Sequence, residues 1–232
     1  MTKKSSRIIS KVLSPAIKLW LRSQVEKIEN LQFNIEGSDR QIIGGTIPAV
    51  FLAANKAIYQ GIHLGEVKLT ATGININIGQ VLKGKPLRLL EPIKVTGEIV
   101  LEETDFNASL QAPLLGNAVS DFLIPLLKID TIENLTLQNP QVAIEVDRLI
   151  LTATLVSDNN ENYPLILRTG LQLASNHELK FDKPELETAE KIKSNLVDGL
   201  QVDLGTEVDI EELTLNNGRL MCQGSINVLP DV

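Results

Sequence analysis

Apolar and basic positions repeat with the period of an α-helix between residues 3 and 28. At about 100° per residue, the basic side chains fall within an arc of roughly 60°, and they are Lys4, Arg7, Lys11, Lys18 and Arg22. The opposite side of the helix carries an apolar stripe of Ile9, Val12, Leu13, Ala16 and Trp20. This pattern predicts a basic amphipathic helix of the kind found on membrane surfaces and in partner grooves. A helix that packs its stripe into the core and leaves its lysines solvated would show the same pattern.

Ser14-Pro15 interrupts this predicted helix, and two interpretations fit. Pro15 can be the first helical residue after a Ser14 cap, with a separate turn before it. It can equally kink one longer helix, because proline removes the backbone hydrogen bond to Lys11.

From Leu31 the apolar positions alternate with polar ones, which predicts half-buried β-strands. Such runs occupy residues 31–36, 50–58, 67–78, 93–102 and 135–173. The apolar positions change from odd to even at Thr72-Gly73, which predicts a β-bulge and therefore a bent sheet.

Two further helices are predicted from proline and the spacing of apolar residues. Pro113 opens the first, which is apolar on almost every side and is therefore expected in the interior. Pro184 opens the second, which runs to Gly199 and has acidic residues near its start, where they suit the helix dipole.

Asn217-Gly218 predicts a β-hairpin with a two-residue turn. Pairing outward from this turn sets Leu215 opposite Leu220 and Leu213 opposite Cys222. Cys222 is therefore expected to be a small buried hydrophobe and not a nucleophile.

A motif of the form Ile-Glu-x-Leu-x-(Leu/Phe) begins at Ile28, Ile132 and Ile210. Internal similarity of this kind predicts repeated supersecondary units. Because the match covers only six residues, a shared preference at strand starts would produce it as well.

Charge and composition narrow the possible functions. The 232 residues carry a net charge of −7 while residues 3–28 carry +6, so the remainder sums to −13. The negative net charge and the aromatic content of 3% argue against nucleic-acid binding. The single Cys222 and two separated histidines, His63 and His177, do not predict a metal site. Because there is neither an apolar run of 18 residues nor a secretory signal, we expect a cytoplasmic protein that meets membranes from the surface.

Residues 79–85 match the nucleotide-binding pattern G-x-x-x-x-G-K, but its context is wrong. The Ser or Thr that would bind magnesium is replaced by Pro86, and no helix is predicted to follow, so we reject a nucleotide site. The cations Lys83, Lys85 and Arg88 fit a lipid phosphate, although a solvated loop is the simpler interpretation. No catalytic motif is present, so neither an enzyme nor a cofactor is expected.

Three stretches together resemble the LmeA-like family: SPAIKLWL from Ser14, GQVLKGKPLRLLEP from Gly79 and DFNASL from Asp105. The resemblance covers nearly the whole chain and implies phospholipid binding at membranes. It also implies a fold similar to the tubular lipid-binding (BPI/SMP-like) proteins, in which a curved antiparallel sheet wraps a long helix and encloses an apolar groove. The chain departs from the exported members of the family because it begins without a signal peptide.

These observations predict one α+β domain, residues 1–232, with a strongly curved antiparallel sheet around one or more long apolar helices. The predicted order is a basic helix in 1–29, strands in 30–103, a helix in 104–128, strands in 129–182, a helix in 183–200, and strands with a hairpin in 201–232.

The predicted function is non-catalytic binding of phospholipid or another long-chain lipid at an anionic membrane surface, with transfer as an extension. The acyl groove is predicted to be lined by Leu13, Ile17, Trp20, Leu115, Val119, Phe122, Leu123 and Leu126. Headgroup contacts are predicted for Lys4, Arg7, Lys11, Lys18, Arg22, Lys83, Lys85 and Arg88. The alternative is a protein-interaction scaffold or homodimer that uses the apolar face of the sheet.

Overall fold

The computed structural model describes residues 9–128, 135–189, 193–194 and 200–230. These residues form a π-helical turn at Ile9–Leu13, a 3-10 turn at Ile124–Leu126 and five α-helices: α1 Ser14–Gln24, α2 Asp39–Ile43, α3 Ile78–Val81, α4 Glu103–Ser109 and α5 Pro113–Leu123. They also form thirteen strands: β1 Lys27–Glu36, β2 Thr46–Tyr59, β3 Ile62–Asn75, β4 Ile93–Glu102, β5 Leu127–Lys128, β6 Thr136–Glu145, β7 Arg148–Val156, β8 Asn162–Leu173, β9 Glu178–Thr188, β10 Lys193–Ser194, β11 Gln201–Asp203, β12 Val208–Asn216 and β13 Arg219–Val228.

The strands form two antiparallel sheets and one short ribbon. The large sheet has the order β1-β2-β3-β4-β13-β12, the small sheet has the order β11-β9-β8-β7-β6, and β5 pairs with β10. Strands account for more than half of the described residues, and one sheet is strongly curled into a half-barrel. The predicted curved antiparallel sheet is therefore confirmed.

In each sheet, four strands pair in the order in which they follow one another along the chain, and a helix precedes the first of them. In the large sheet α1 precedes β1 to β4, and in the small sheet α5 precedes β6 to β9. The repeated sequence motif begins at β1 in its first copy, and its third copy lies in β12. The second copy lies partly outside the described residues and reaches the start of β6. The chain thus contains two helix-and-meander segments, the first interrupted by the short α2 and α3, and β12–β13 extend the first.

The face of the large sheet that packs against α1, called here the inner face, is apolar across neighbouring strands. Val50 pairs with Ala71, Ala71 with Val95, and Val95 with Ile226. Leu13 and Ile17 of the N-terminal helical segment are buried against this face. The inner face and α1 together form the first hydrophobic core.

Two glycines let the large sheet curl sharply. Leu69 pairs with Gly97, Gly97 with Gly224, and Gly224 with Ile210, so one line crosses four strands. A methyl group on Gly97 would overlap the Lys68 carbonyl oxygen. One on Gly224 would overlap the Asp209 carbonyl oxygen. Glycines at such positions allow the close backbone approach that strong curvature needs.

Helix α4 attaches the small sheet to the large one. The Asn107 side chain donates to the Val142 carbonyl at 2.8 Å and accepts from the Val142 N–H at 2.7 Å. The Glu103 carboxylate accepts from the Ile144 N–H at 2.9 Å, and the Gly218 N–H donates to the Ile144 carbonyl at 2.8 Å. These bonds satisfy groups on β6, which would otherwise be an open sheet edge.

The first helix is shorter than predicted and ends at Gln24, with β1 starting at Lys27. Leu13, the residue before α1, has helical backbone angles, with φ −73° and ψ −44°. The helical path is therefore continuous through Pro15, as in the interpretation of one interrupted helix, with a change from π to α geometry. The longest described α-helices, α1 and α5, have 11 residues, so the predicted long central helix is not among the described residues.

The helix predicted for residues 183–200 is wrong at residues 183–188, which belong to strand β9, and at Lys193–Ser194, which form strand β10. Residues 190–192 and 195–199 lie outside the described residues. The acids that suggested a helix start instead meet arginines of the same sheet. Glu187 pairs with Arg168 on the adjacent strand β8 at 3.0 Å, and Glu185 pairs with Arg148 on β7, one strand further away, at 3.8 Å. Pairs of opposite charge across strands stabilise a sheet, and acidic residues stabilise the start of a helix. The same glutamates are therefore compatible with either structure.

Two finer predictions are corrected. Strands β2 and β3 keep one register from Ala49–Thr72 to Ile47–Ile74, so there is no bulge at Thr72-Gly73. Gly73 instead takes a positive φ of 64°. Helix α5 is not an interior helix, since Leu123 is its one fully buried residue and Leu114 is 52% exposed. The C-terminal hairpin is confirmed, with Leu215 opposite Leu220 and Leu213 opposite Cys222.

We predict that Gly97→Ala destabilises the protein by about 3 kcal/mol, because the added methyl group forces β4 away from the Lys68 backbone. Urea unfolding followed by circular dichroism measures the change. Gly79→Ala is the matched control, since its methyl group would meet no atom within 4 Å. Equal unfolding midpoints for the two variants would contradict the role of Gly97 in the curl.

Candidate functional site

A cavity of about 210 Å³ lies between α1 and the inner face of the large sheet. Its sixteen lining residues are all apolar: Ile17, Trp20, Leu21, Ile47, Val50, Leu52, Leu69, Ala71, Ile74, Ile76, Leu87, Leu89, Ile93, Val95, Ile226 and Val228. For comparison, an engineered cavity of about 150 Å³ with such a lining stays dry and binds benzene. This space, called here the first cavity, therefore suits a hydrocarbon.

The loop after α3 closes one wall of the first cavity, and Asn77 fixes that loop. The Asn77 side chain accepts from the Arg88 N–H at 2.8 Å and donates to the Pro86 carbonyl at 3.0 Å. A backbone bridge between Ile76 and Leu89 holds the next residues. Leu87 and Leu89 are consequently buried against the cavity, while Arg88 between them is exposed.

Helix α1 forms the opposite wall. Ile17 is buried, and Trp20 and Leu21 are half-buried where they line the first cavity. The Trp20 indole N–H is buried without a hydrogen-bond partner. Trp20 is the single tryptophan of the chain, so its fluorescence reports on this cavity alone.

Several exposed apolar side chains each stand one or two residues along the chain from a residue that packs in the first core. Leu19 is 71% exposed and Leu90 is 59% exposed, and the set also includes Ile43, Leu82 and Leu229. Basic side chains are interleaved with them. Lys18 and Arg22 lie exposed on α1, and Lys83, Lys85 and Arg88 lie exposed on the loop. These ten residues are called the rim below.

The structure brings together only part of the predicted headgroup set. Lys18, Arg22, Lys83, Lys85 and Arg88 lie on the two segments that bound the first cavity, and Lys11 is exposed one turn before α1. Lys4 and Arg7 lie outside the described residues.

The predicted acyl groove is divided between two places. Ile17 and Trp20 line the first cavity, and Leu13 is fully buried in the adjoining core. Val119, Phe122 and Leu123 line a second cavity of about 120 Å³ beneath α5. Leu115 packs half-buried in the core around the second cavity, and Leu126 is half-buried but lines neither cavity.

Most of the sheet residues that line the first cavity were not predicted as site residues. Val50, Leu52, Leu69, Ala71 and Val95 belong to strands whose alternation was visible in the sequence. The missing information was which strands become neighbours, since that decides which apolar faces meet.

Comparison with known proteins identifies the family. The model of the LmeA-like phospholipid-binding proteins matches residues 5–225, nearly the whole chain. The chain belongs to the LmeA-like phospholipid-binding family. No curated protein and no solved structure gives a significant match.

A polar pocket of this LmeA-like protein lies at the other end of the β2–β3 hairpin, among Lys27, Lys56, His63 and Asp105. Lys27 pairs with Glu29 at 2.7 Å, and that hydrogen bond and charge lower the pKa of the exposed Glu29 carboxyl. Both signs of charge are present, so the pocket does not favour one class of ligand.

The residues described for this LmeA-like chain contain no group of three His, Cys, Asp or Glu side chains suited to a metal ion. None of the described helices is both long enough and apolar enough to cross a membrane. The G-x-x-x-x-G-K stretch begins inside α3 and leads into the loop that holds Leu87, so no helix follows the motif.

Cys222 lies on β13, facing Leu213 and packed against the core around the second cavity. Burial raises the pKa of the Cys222 thiol, so less thiolate is present near neutral pH. Cys222 was predicted to be a small buried hydrophobe, and the structure leaves it half-buried in this apolar contact.

We predict that Cys222 of the LmeA-like protein reacts with a thiol reagent roughly tenfold more slowly at pH 8 than an exposed cysteine. Its rate should also reach half its maximum at a higher pH, because the raised pKa delays thiolate formation. The control is Asn227→Cys in a Cys222→Ser background, since Asn227 is exposed on the same strand. Equal rates would show that Cys222 is not shielded.

Proposed function

We propose that this protein binds the hydrocarbon chain of a phospholipid in the first cavity and acquires it by docking its rim on an anionic membrane. Binding is non-catalytic, and reversible docking would let the protein transfer lipid between membranes. The observation that carries the proposal is a cavity with sixteen apolar lining residues, beside a surface of interleaved basic and apolar side chains.

The chemistry of the lining supports a hydrocarbon as the occupant. Apart from the Trp20 N–H, which is covered, the sixteen side chains offer no hydrogen-bond donor or acceptor. A polar ligand would therefore lose its hydration without compensation. Each methylene group that enters gains about 0.8 kcal/mol, so a lipid tail is the ligand class that the cavity favours.

The charge distribution supports docking through the rim. The whole chain is acidic, with a net charge of −7, and an anionic membrane would repel most of its surface. Lys18, Arg22, Lys83, Lys85 and Arg88 counter this repulsion on the segments next to the cavity. Each basic residue near an anionic surface contributes about 1 kcal/mol. The exposed Leu19 and Leu90 are suited to contact the acyl boundary of the bilayer.

We predict that Ala71→Phe weakens lipid binding in the first cavity more than a hundredfold. The new ring would take the place of roughly four methylene groups, a loss of about 3.2 kcal/mol. Quenching of Trp20 fluorescence by phosphatidylglycerol with brominated acyl chains measures binding to the cavity. Thr72→Phe is the matched control, because Thr72 is exposed and lies outside the cavity lining. Equal quenching in the two variants would contradict the assigned site.

We predict that Lys18→Glu weakens binding to phosphatidylglycerol vesicles by about 2 kcal/mol, since one attraction is lost and a similar repulsion is gained. Vesicle co-sedimentation measures the effect, which should fade in about 1 M salt, where charges are screened beyond roughly 3 Å. Arg148→Glu makes the same charge change in β7 of the small sheet and serves as the control. Vesicle binding that changes neither with salt concentration nor with either substitution would contradict docking through the rim.

A lipid-free dimer in native mass spectrometry would favour the alternative function, a protein-interaction scaffold.

A further inference from the structure

We infer that the second cavity is a second, independent hydrocarbon site, so that the protein carries two acyl chains. This inference rests on the proposed function, because it assigns the same kind of ligand to a different place. The second cavity has a volume of about 120 Å³ and is lined by Phe106, Leu110, Val119, Phe122, Leu123, Val142, Leu149, Leu151, Leu167, Thr169 and Phe181.

The lining of the second cavity selects an apolar occupant. Thr169 is its one polar side chain, and the Thr169 hydroxyl is already directed at the Gly170 and Asp182 carbonyls, at 2.8 and 3.2 Å. The remaining ten side chains are hydrocarbon, and Phe122 stacks on Phe181 with ring centroids 5.0 Å apart. An occupant would therefore find only apolar surface, as in the first cavity.

The two cavities share no lining residue. The first lies between α1 and the large sheet, and the second lies between the α4–α5 segment and the small sheet. Each thus occupies the space between a helix and the four-stranded meander that follows it along the chain. Equivalent placement favours equivalent use.

Helix α5 is suited to admit a chain because it covers the second cavity without sealing itself into the core. Leu123 is its one fully buried residue, Val119 and Phe122 are half-buried, and Leu114 is more than half exposed. A helix held by half-buried side chains loses few contacts when it shifts. An empty apolar cavity is also destabilising, so an occupant would stabilise the unit.

The experiment counts single-chain lipids by native mass spectrometry of the full protein titrated with lysophosphatidylglycerol. The wild-type protein should saturate at two lipids, and Val119→Phe, which fills the second cavity, should saturate at one. Ala71→Phe, whose ring takes up about half of the first cavity, should also saturate at one over the same range of lipid concentrations, and the double variant should bind none. Ala118→Phe places the same ring one residue earlier on the exposed side of α5 and should still bind two.

The outcomes separate the two proposals. If the wild-type protein saturates at one lipid, or if Val119→Phe still binds two, the second site is overturned while the first stands. If Ala71→Phe binds as many lipids as the wild type, the proposed function is overturned instead. Leu151→Phe fills the second cavity from β7 and replaces Val119→Phe if circular dichroism shows that the α5 variant does not fold.

Discussion

The sharp curl of the large sheet depends on two glycines that face each other across β4 and β13. Gly97 and Gly224 leave room for the neighbouring backbones, and any side chain there would overlap a carbonyl oxygen of the next strand. A flatter sheet would spread its apolar inner face and leave it open to water. Because the sheet curls, Val50, Ala71, Val95 and Ile226 instead converge with α1 around one cavity. The shape of the first cavity therefore depends on glycine at positions 97 and 224.

A curled sheet with short helices leaves its interior incompletely filled. Helices α1 and α5 have 11 residues each, about 17 Å of helix, while β2 and β3 have 14 residues each, about 47 Å of strand. A helix of that length cannot cover the whole inner face, so apolar area remains uncovered around the first cavity. Junction bonds from Asn107 and Glu103 hold the small sheet in place without filling either cavity. The fold thus combines a well-bonded backbone with an interior that is not fully packed.

The sequence predicted the elements whose signals are local. Alternation located the strands, Asn217-Gly218 fixed the register of the hairpin, and Pro113 marked the start of α5. The sequence-based prediction failed where the interacting residues are distant in the chain. Glu185 and Glu187 suit a helix start, but in the folded protein they lie in a strand and pair with Arg148 and Arg168 on other strands. The single predicted groove became two cavities because nothing local shows that Trp20 and Phe122 lie in different units.

The distribution of charge determines which side of the protein could approach an anionic membrane. A chain with a net charge of −7 approaches an anionic bilayer favourably only through a surface where that charge is reversed. In the proposed docking, the basic residues of the rim are that surface, and they lie on α1 and the Asn77-bound loop, the same segments that bound the first cavity. Lys18 and Arg88 are exposed because Ile17, Leu87 and Leu89 beside them are buried. Along these segments, the alternation that builds the cavity wall with buried side chains also places the basic side chains on the outer surface.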